Sequence, residues 1–436
     1  MKFALVNPNW DFAGSSYFGC QETHVPLELF CAAHHLQPAG HDTLILDAHL
    51  ENLSPAEARA RLRRFQPDFI VMPDAPTYLF WRCPQPELRI PALWWRELQE
   101  LPATRVDIGP HASATPEATA RKLPLHVLLR GEADETLPAL AGMPWRKIPG
   151  CCFAADAGWH FTPTAAAADL RALGPLAWRD YPWPRRTHRH HVFTGPGRGA
   201  ELEASRGCPW SCDFCNKTQF RNRFRERPLA ALLADVDALL AAGISSIYFI
   251  DEIFGCGRST PALLAALAER PLQFGMQTRI DLWDEAGLEA LGRAGCISME
   301  CGIEDITPAG RDALHKGCRM TTARMGELLT CARRHIPWVQ ANLIAPDDAA
   351  AADLPLQQAW RGEMQAAGVW VSAAVPLFPF PGSPRYQQLF GEPDDTAWER
   401  AHEHYLRINH ERGYSDIQAA HPLALPALEI KDHAQR

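Results

Sequence analysis

The sequence predicts an α/β protein: a doubly wound parallel sheet, then a second repeat of six βα steps, then a short helical tail. Three observations carry this. At 436 residues the chain exceeds one comfortable hydrophobic core. Its apolar runs are short and alternate with stretches of helical period. The alternation halts in a proline-rich stretch and then resumes. Hydrophobic residues make up 47% of the chain, yet no run approaches the roughly 20 residues of a membrane span.

In the first segment, residues 1–140, strands are expected at 3–6, 43–46, 69–72, 106–108 and 127–129, with helices such as 55–65 and 116–122 between them. Ser54-Pro55-Ala56-Glu57 opens the first of these helices with an N-cap, a proline at the first helical position and a glutamate three residues after the cap. Ligands of such sheets lie beyond the carboxyl ends of the strands. That rule selects Asn7, Pro73-Asp74, Gly109-Pro110-His111 and Arg130-Gly131-Glu132 as one rim. The opening Met1–Pro8 reads as a buried strand and turn, without the cleavage site of a secretory signal. A cytoplasmic address is expected, where thiols stay reduced.

Residues 141–200 carry prolines at 144, 149, 163, 175, 182, 184 and 196 and read as a connector. Its Arg179, Arg185, Arg186, His188, Arg189, His190 and His191 suit a solvated linker or, alternatively, a strap over an anion. A second basic run, Arg221 to Arg227, invites the same two readings. The net charge of −8 argues against general nucleic-acid binding.

From 201 to 386 strands are expected at 201–203, 246–250, 273–277, 296–300, 339–343 and 369–373, with helices at 229–242, 261–269, 284–293, 321–335 and 353–367. Six such steps suggest an incomplete TIM-like barrel with its chemistry at the strand ends. Cys208, Cys212 and Cys215 fall in the loop after the first of these strands. A C-x-x-x-C-x-x-C run is one ligand short of closing a zinc or cubane site. The alternatives are a zinc knuckle completed by a distant histidine, or three small buried hydrophobes among the 13 cysteines. Pro209, Trp210 and Phe214 favour a water-excluding cluster loop. Other strand ends carry Asp251 and Glu252, Gln277 and Arg279, and Glu300 and Glu304; barrel-mouth ion pairs are their bland alternative. Residues 387–436 read as a helical extension. The remaining cysteines lack ligand spacing; Cys20, in the Tyr17–Cys20 loop, is the one considered for a site role.

The cysteine run, with an aromatic just before its last member, resembles the signature of the radical S-adenosylmethionine (SAM) superfamily. Pro38–His41, Leu53–Glu57, Gln66–Val71, Gly109–His111 with Thr115–Glu117, and Leu129–Glu132 together resemble the cobalamin-binding-type, Rossmann-like domain that precedes the barrel in one subfamily. Phe378–Tyr386 resembles its turn after the sixth strand, whereas Ile344-Ala345-Pro346-Asp347-Asp348 departs from its fifth turn. The resemblance implies a 4Fe-4S cluster on Cys208, Cys212 and Cys215 whose open iron holds SAM, and reductive cleavage of SAM to a 5′-deoxyadenosyl radical. It implies SAM contacts from Phe214, Asp251, Glu252, Gln277, Arg279, Glu300 and Glu304, and a cobalamin rim including Asn7, Gly109, His111, Gly131 and Glu132. Asp47-Ala48-His49-Leu50-Glu51-Asn52 nearly matches the motif that supplies an axial histidine in other cobalamin proteins, but it ends in Asn and follows the second strand. His49 therefore reads as a surface loop residue, and cobalamin as lacking a histidine ligand.

The activity implied is methylation of an unactivated carbon of an unidentified substrate, fed by an external low-potential electron donor. Radical cyclisation or rearrangement without methyl transfer is the alternative, and a non-catalytic iron–sulfur or zinc module a third reading.

Overall fold

The computed structural model describes residues 1–11, 23–76, 84–179, 181–187, 192–193, 197–219, 221–345, 354–372 and 374–412. They form two compact units: Met1–Arg186 with Asn216–Arg221 and Pro379–Arg436, and Thr187–Cys215 with Asn222–Phe378. Cys20, Cys83, His188–His191 and Pro346–Asp348 lie outside the described residues.

The first unit is a seven-stranded sheet: β1 (Lys2–Asn7), β2 (Asp42–Asp47), β3 (Phe69–Pro73), β4 (Thr104–Ile108), β5 (Val127–Leu129), β6 (Cys151–Ala155) and β7 (Gly158–Phe161). The order is β2-β1-β3-β4-β5-β6-β7; the first five strands are parallel, and β6 and β7 antiparallel. Alternate residues of each strand enter two cores. Ala4, Val6, Ile70 and Met72 pack with Trp94 and Trp95 on one face. Phe3, Leu5, Val71 and Val106 pack with Leu29 and Leu36 on the other. Burial on both faces is why these strands read as unbroken apolar runs. The helix Pro55–Phe65 has the expected bounds: Ser54 Oγ accepts from Glu57 N at 3.3 Å, Glu57 Oε2 accepts from Ser54 N at 2.8 Å, and Gln66 ends it with φ +55°.

Three expectations for this unit are corrected. The sheet does not stop at residue 140: β6 and β7 extend it as a hairpin, a pairing that βα periodicity cannot announce because no helix follows either strand. In the connector, two of the arginines are engaged rather than free in solvent. Arg185 pairs with Glu51 at 3.0 Å, and buried Arg186 donates to the Thr23 carbonyl at 2.7 Å. Finally, His49 sits in a one-turn helix, Ala48–Glu51, rather than a loop, because Asp47 caps it by accepting from Leu50 N at 3.1 Å.

The second unit contains β8 (Arg198–Leu202), β9 (Ser205–Arg206), β10 (Arg225–Glu226), β11 (Ile244–Phe249), β12 (Gln273–Thr278), β13 (Cys296–Glu304), β14 (Trp338–Ala345), β15 (Trp370–Val371) and β16 (Val375–Pro376). Its main sheet runs β15-β14-β13-β12-β11-β8 with every neighbour parallel, and β16 pairs the end of β14. Helices Leu229–Ala241, Thr260–Ala268, Glu285–Arg293, Thr322–His335 and Leu354–Ala366 return the chain between strands. This is the expected six-step open barrel.

Its limits differ from 201–386. The first strand starts at Arg198, where backbone pairing with β11 rather than apolar pattern defines an edge strand. The residues from Pro379 onward belong to the first unit. There the helix Ala397–Arg412 places Trp398 against His111, ring centroids 4.0 Å apart, with Trp398 Nε1 donating to Thr115 Oγ1 at 2.8 Å. Among the described residues no helix is long and apolar enough to cross a membrane.

Candidate active site

The three cysteines lie on the loop beyond β9, at the carboxyl end of the first barrel strand, and all are partly exposed. Cys296 and Cys301, by contrast, are buried in β13, where burial pushes both thiols far up. The loop is fastened at both ends. On its approach, Asp251 accepts from Ala204 N at 2.9 Å and from Ser205 Oγ, and Glu252 accepts from Gly207 N at 2.7 Å. Gly207 has φ +81°, a turn only glycine makes without strain. On its far side, Asp213 N donates to the Leu314 carbonyl at 3.2 Å, and Cys215 N closes a turn on Cys212 O at 3.2 Å. The acidic pair at the end of β11 is thus bonded to the loop's own backbone. Burial lifts the Asp251 carboxyl to about 7, against the lowering effect of its hydrogen bonds.

Arg279, expected at SAM, is engaged within the chain. Its Nε and Nη2 meet both oxygens of Asp281 at 2.9 and 2.7 Å, and Nη1 reaches the Lys316 carbonyl at 2.7 Å. The guanidinium also lies 4.2 Å from the Trp210 ring centroid, a stacked geometry that lysine would not reproduce. Glu304 stands at φ +64° after a register shift in β13, and receives Lys316 Nζ at 2.9 Å.

Gln277 and Glu300 are brought together by register, paired across β12 and β13. Glu300 accepts from Tyr248 Oη at 3.1 Å and from Gln277 Nε2 at 3.3 Å. The same polar face continues on β14, where Gln340 Nε2 donates to Asn342 Oδ1 at 2.7 Å. Tyr248, Gln340, Asn342 and Lys316 escaped the sequence reading. The alternation of Trp338–Ala345 held the signal for two of them, since Val339, Ala341 and Leu343 are buried and the residues between them half-buried. Phe214 is half-buried beside Cys215.

At the rim of the first unit the expected residues serve the unit itself. Asn7 Nδ2 donates to Asp47 Oδ1 at 2.8 Å while its Oδ1 accepts from Trp10 Nε1 at 2.8 Å. Gly109, φ +142°, has Asp74 Oδ1 only 2.2 Å from where a Cβ would stand. Gly131 N donates to Ser113 Oγ at 2.8 Å. Glu132 accepts from Ala168 N at 2.8 Å and pairs with Arg221 at 3.1 Å. His111 is 1% exposed, with Nε2 2.8 Å from the Gln85 carbonyl, and burial pulls its pKa down to about 3. The ring is thus enclosed within the packing of the first unit, with Nε2 engaged by the Gln85 carbonyl. The second basic run is also spoken for at its ends: Arg221 on Glu132, and Arg227 on Asp235 at 2.7 Å.

Three thiols of one loop, partly exposed and separated by three and two intervening residues, suit a cluster with one open iron. Among the described residues no three His, Cys, Asp or Glu side chains are placed to hold a single metal ion.

Comparison with known proteins agrees with this geometry. Residues 202–339, which include the cysteine loop, match the family described as the radical SAM superfamily. An uncharacterised methyltransferase of Pyrococcus horikoshii is 23% identical over 329 residues, 73% of this chain and 68% of that one. The anaerobic magnesium-protoporphyrin IX monomethyl ester cyclase of Cereibacter sphaeroides is 23% identical over 364 residues, 79% of this chain; the chain spans only 56% of that relative's length. Among solved structures, the radical SAM methyltransferase TsrM of Kitasatospora setae, with cobalamin and a [4Fe-4S] cluster bound, superposes with a TM-score of 0.68 at 17% identity, covering 88% of this chain and 76% of that one. Residues 202–339 match the radical SAM superfamily, and the chain shares the fold of solved cobalamin-dependent radical SAM enzymes.

Proposed function

We propose that the protein is a cobalamin-dependent radical SAM methyltransferase acting on an unactivated carbon. The observation that carries this is the cysteine loop, fastened at the mouth of a six-step barrel on a chain that also has a doubly wound, cobalamin-type unit. Cys208, Cys212 and Cys215 would hold a 4Fe-4S cluster, and the polar face of Tyr248, Gln277 and Glu300 would line the SAM side. When bound, the cluster and cobalamin supply one-electron cleavage of SAM and methyl transfer. Asp251 and Glu252 fix the loop backbone, and Arg279 stacks on Trp210 of the loop. The reductant is an external low-potential one-electron donor, in keeping with a cytoplasmic address. The first unit would carry cobalamin without a histidine ligand.

The relative named as a cyclase favours one second reading, ring closure without methyl transfer. One experiment separates the two. Anaerobic protein given reductant, cobalamin, methyl-labelled SAM and candidate substrates should form S-adenosylhomocysteine and 5′-deoxyadenosine in comparable amounts, with label in the product. Product formed with 5′-deoxyadenosine but neither S-adenosylhomocysteine nor label would replace methylation by cyclisation. Stoichiometric zinc without iron in the anaerobic protein would reject both.

A further inference from the structure

Lys316 lies in a tight turn that the cluster motif does not include. Its flanking residues, His315 at φ +51° and Gly317 at φ +65°, are both left-handed, as is its partner Glu304 at φ +64°. Left-handed backbone at two non-glycine residues is costly and persists where the surroundings enforce it. Here they do. The Lys316 carbonyl takes Arg279 Nη1 at 2.7 Å, and the Leu314 carbonyl takes Asp213 N at 3.2 Å. A Cβ on Gly317 would stand 3.4 Å from the Trp210 ring, and one on Gly302 would stand 2.5 Å from Glu304 Oε1 and 3.6 Å from Lys316 Nζ. The turn is therefore clamped to the cysteine loop through Asp213 and Trp210, with Lys316 4% exposed and its ammonium 2.9 Å from Glu304.

We propose that Lys316, aimed by Glu304, is a positioning residue that sets the reduction potential of the cluster on Cys208, Cys212 and Cys215. This inference rests on the proposed radical SAM reading. On reduction the cluster gains one electron from an external iron–sulfur or flavin protein of low potential, and with it one negative charge. A fixed cation in a partly desolvated site favours that gain, and an anion opposes it. The Leu314 carbonyl on Asp213 N, next to Cys212, and the Gly317 backbone against Trp210 hold this turn on the cysteine loop, so the buried ammonium and its carboxylate partner act on the cluster from the same turn with opposite signs.

The test is an EPR-monitored redox titration of anaerobically reconstituted protein without SAM, using titanium(III) citrate as reductant, after iron and sulfide have been measured. Lys316→Gln should move the midpoint to more negative potential, Lys316→Arg should restore it, and Glu304→Gln should move it to more positive potential. Glu304→Gln and Lys316→Arg keep the question decidable should Lys316→Gln fail to fold. Midpoints unchanged in Lys316→Gln, or a shift of the same sign in Glu304→Gln and Lys316→Gln, would overturn the proposal. So would an unchanged midpoint combined with weaker SAM binding, which would make Lys316 a substrate contact. Wild-type protein without iron would instead sink the radical SAM reading on which the proposal stands.

Discussion

The carboxyls that burial pushes upward are the residues most open to direct test. Asp74 and Asp107, at the ends of β3 and β4, are both fully enclosed; burial raises both carboxyls, and the neighbouring Asp107 raises Asp74 further, whereas Asp74 lowers Asp107. Asp74 Oδ2 accepts from Ala112 N at 2.7 Å and Asp107 Oδ1 from Trp95 Nε1 at 3.0 Å. Asparagine can replace the protonated acid by donating to Asp107 and accepting from Ala112. Asp74→Asn should leave the thermal midpoint near wild type at pH 6, whereas Asp74→Ala should cost about 1–3 kcal/mol by stranding both partners. Asp251 gives the matching pH prediction. Its folded pKa of about 7 lies above the ordinary 3.8, so between these values the folded state holds more protons than the unfolded. Its contribution to stability is complete below the unfolded value and is lost as pH rises through the folded one. Asp251→Asn, which keeps both hydrogen bonds, should flatten the decline in unfolding midpoint across this range; an undiminished slope would remove Asp251 as its source.

At the scale of elements, sequence periodicity located what burial patterns and missed what pairing alone decides. Val127–Leu129, Pro55–Phe65 and Pro116–Lys122 have the expected bounds because apolar run, cap and proline coincide at their ends. The β6–β7 hairpin escaped because β6 enters the sheet beside β5 as an antiparallel strand, a choice made by a partner distant in sequence. The site divides the same way. Spacing disclosed the cysteines, and strand-end position disclosed Asp251, Glu252, Gln277 and Glu300. The hold of Lys316 and Asp281 on Arg279, which lies on Trp210 of the loop, depends on a turn and an ion pair that carry no period. Because Glu252 is bonded to Gly207 N, Glu252→Ala should loosen the loop at the cost of one charge-assisted hydrogen bond, about 1.5–3 kcal/mol. Iron retained after anaerobic desalting should fall while far-ultraviolet circular dichroism stays at wild type. Full retention would show that Asp251 alone suffices.

At the scale of the whole chain, the first unit is discontinuous in sequence, completed by residues from beyond the barrel. Trp398 is the main instrument of that completion. It is 2% exposed, packs on the enclosed His111 ring and on Phe380, and spends its indole N–H on Thr115. Arg121 and Lys122 meet Asp395 and Glu399 beside it, but these pairs are exposed and contribute little. Stability from the C-terminal helix therefore rests on the tryptophan rather than on the charges. Trp398→Ala should cost about 3–5 kcal/mol through lost burial and the cavity left behind, read as a lower denaturant midpoint for the transition of the first unit. Asp395→Asn with Glu399→Gln should shift that midpoint by much less. Equal losses from the two variants would assign the closure to the ion pairs instead.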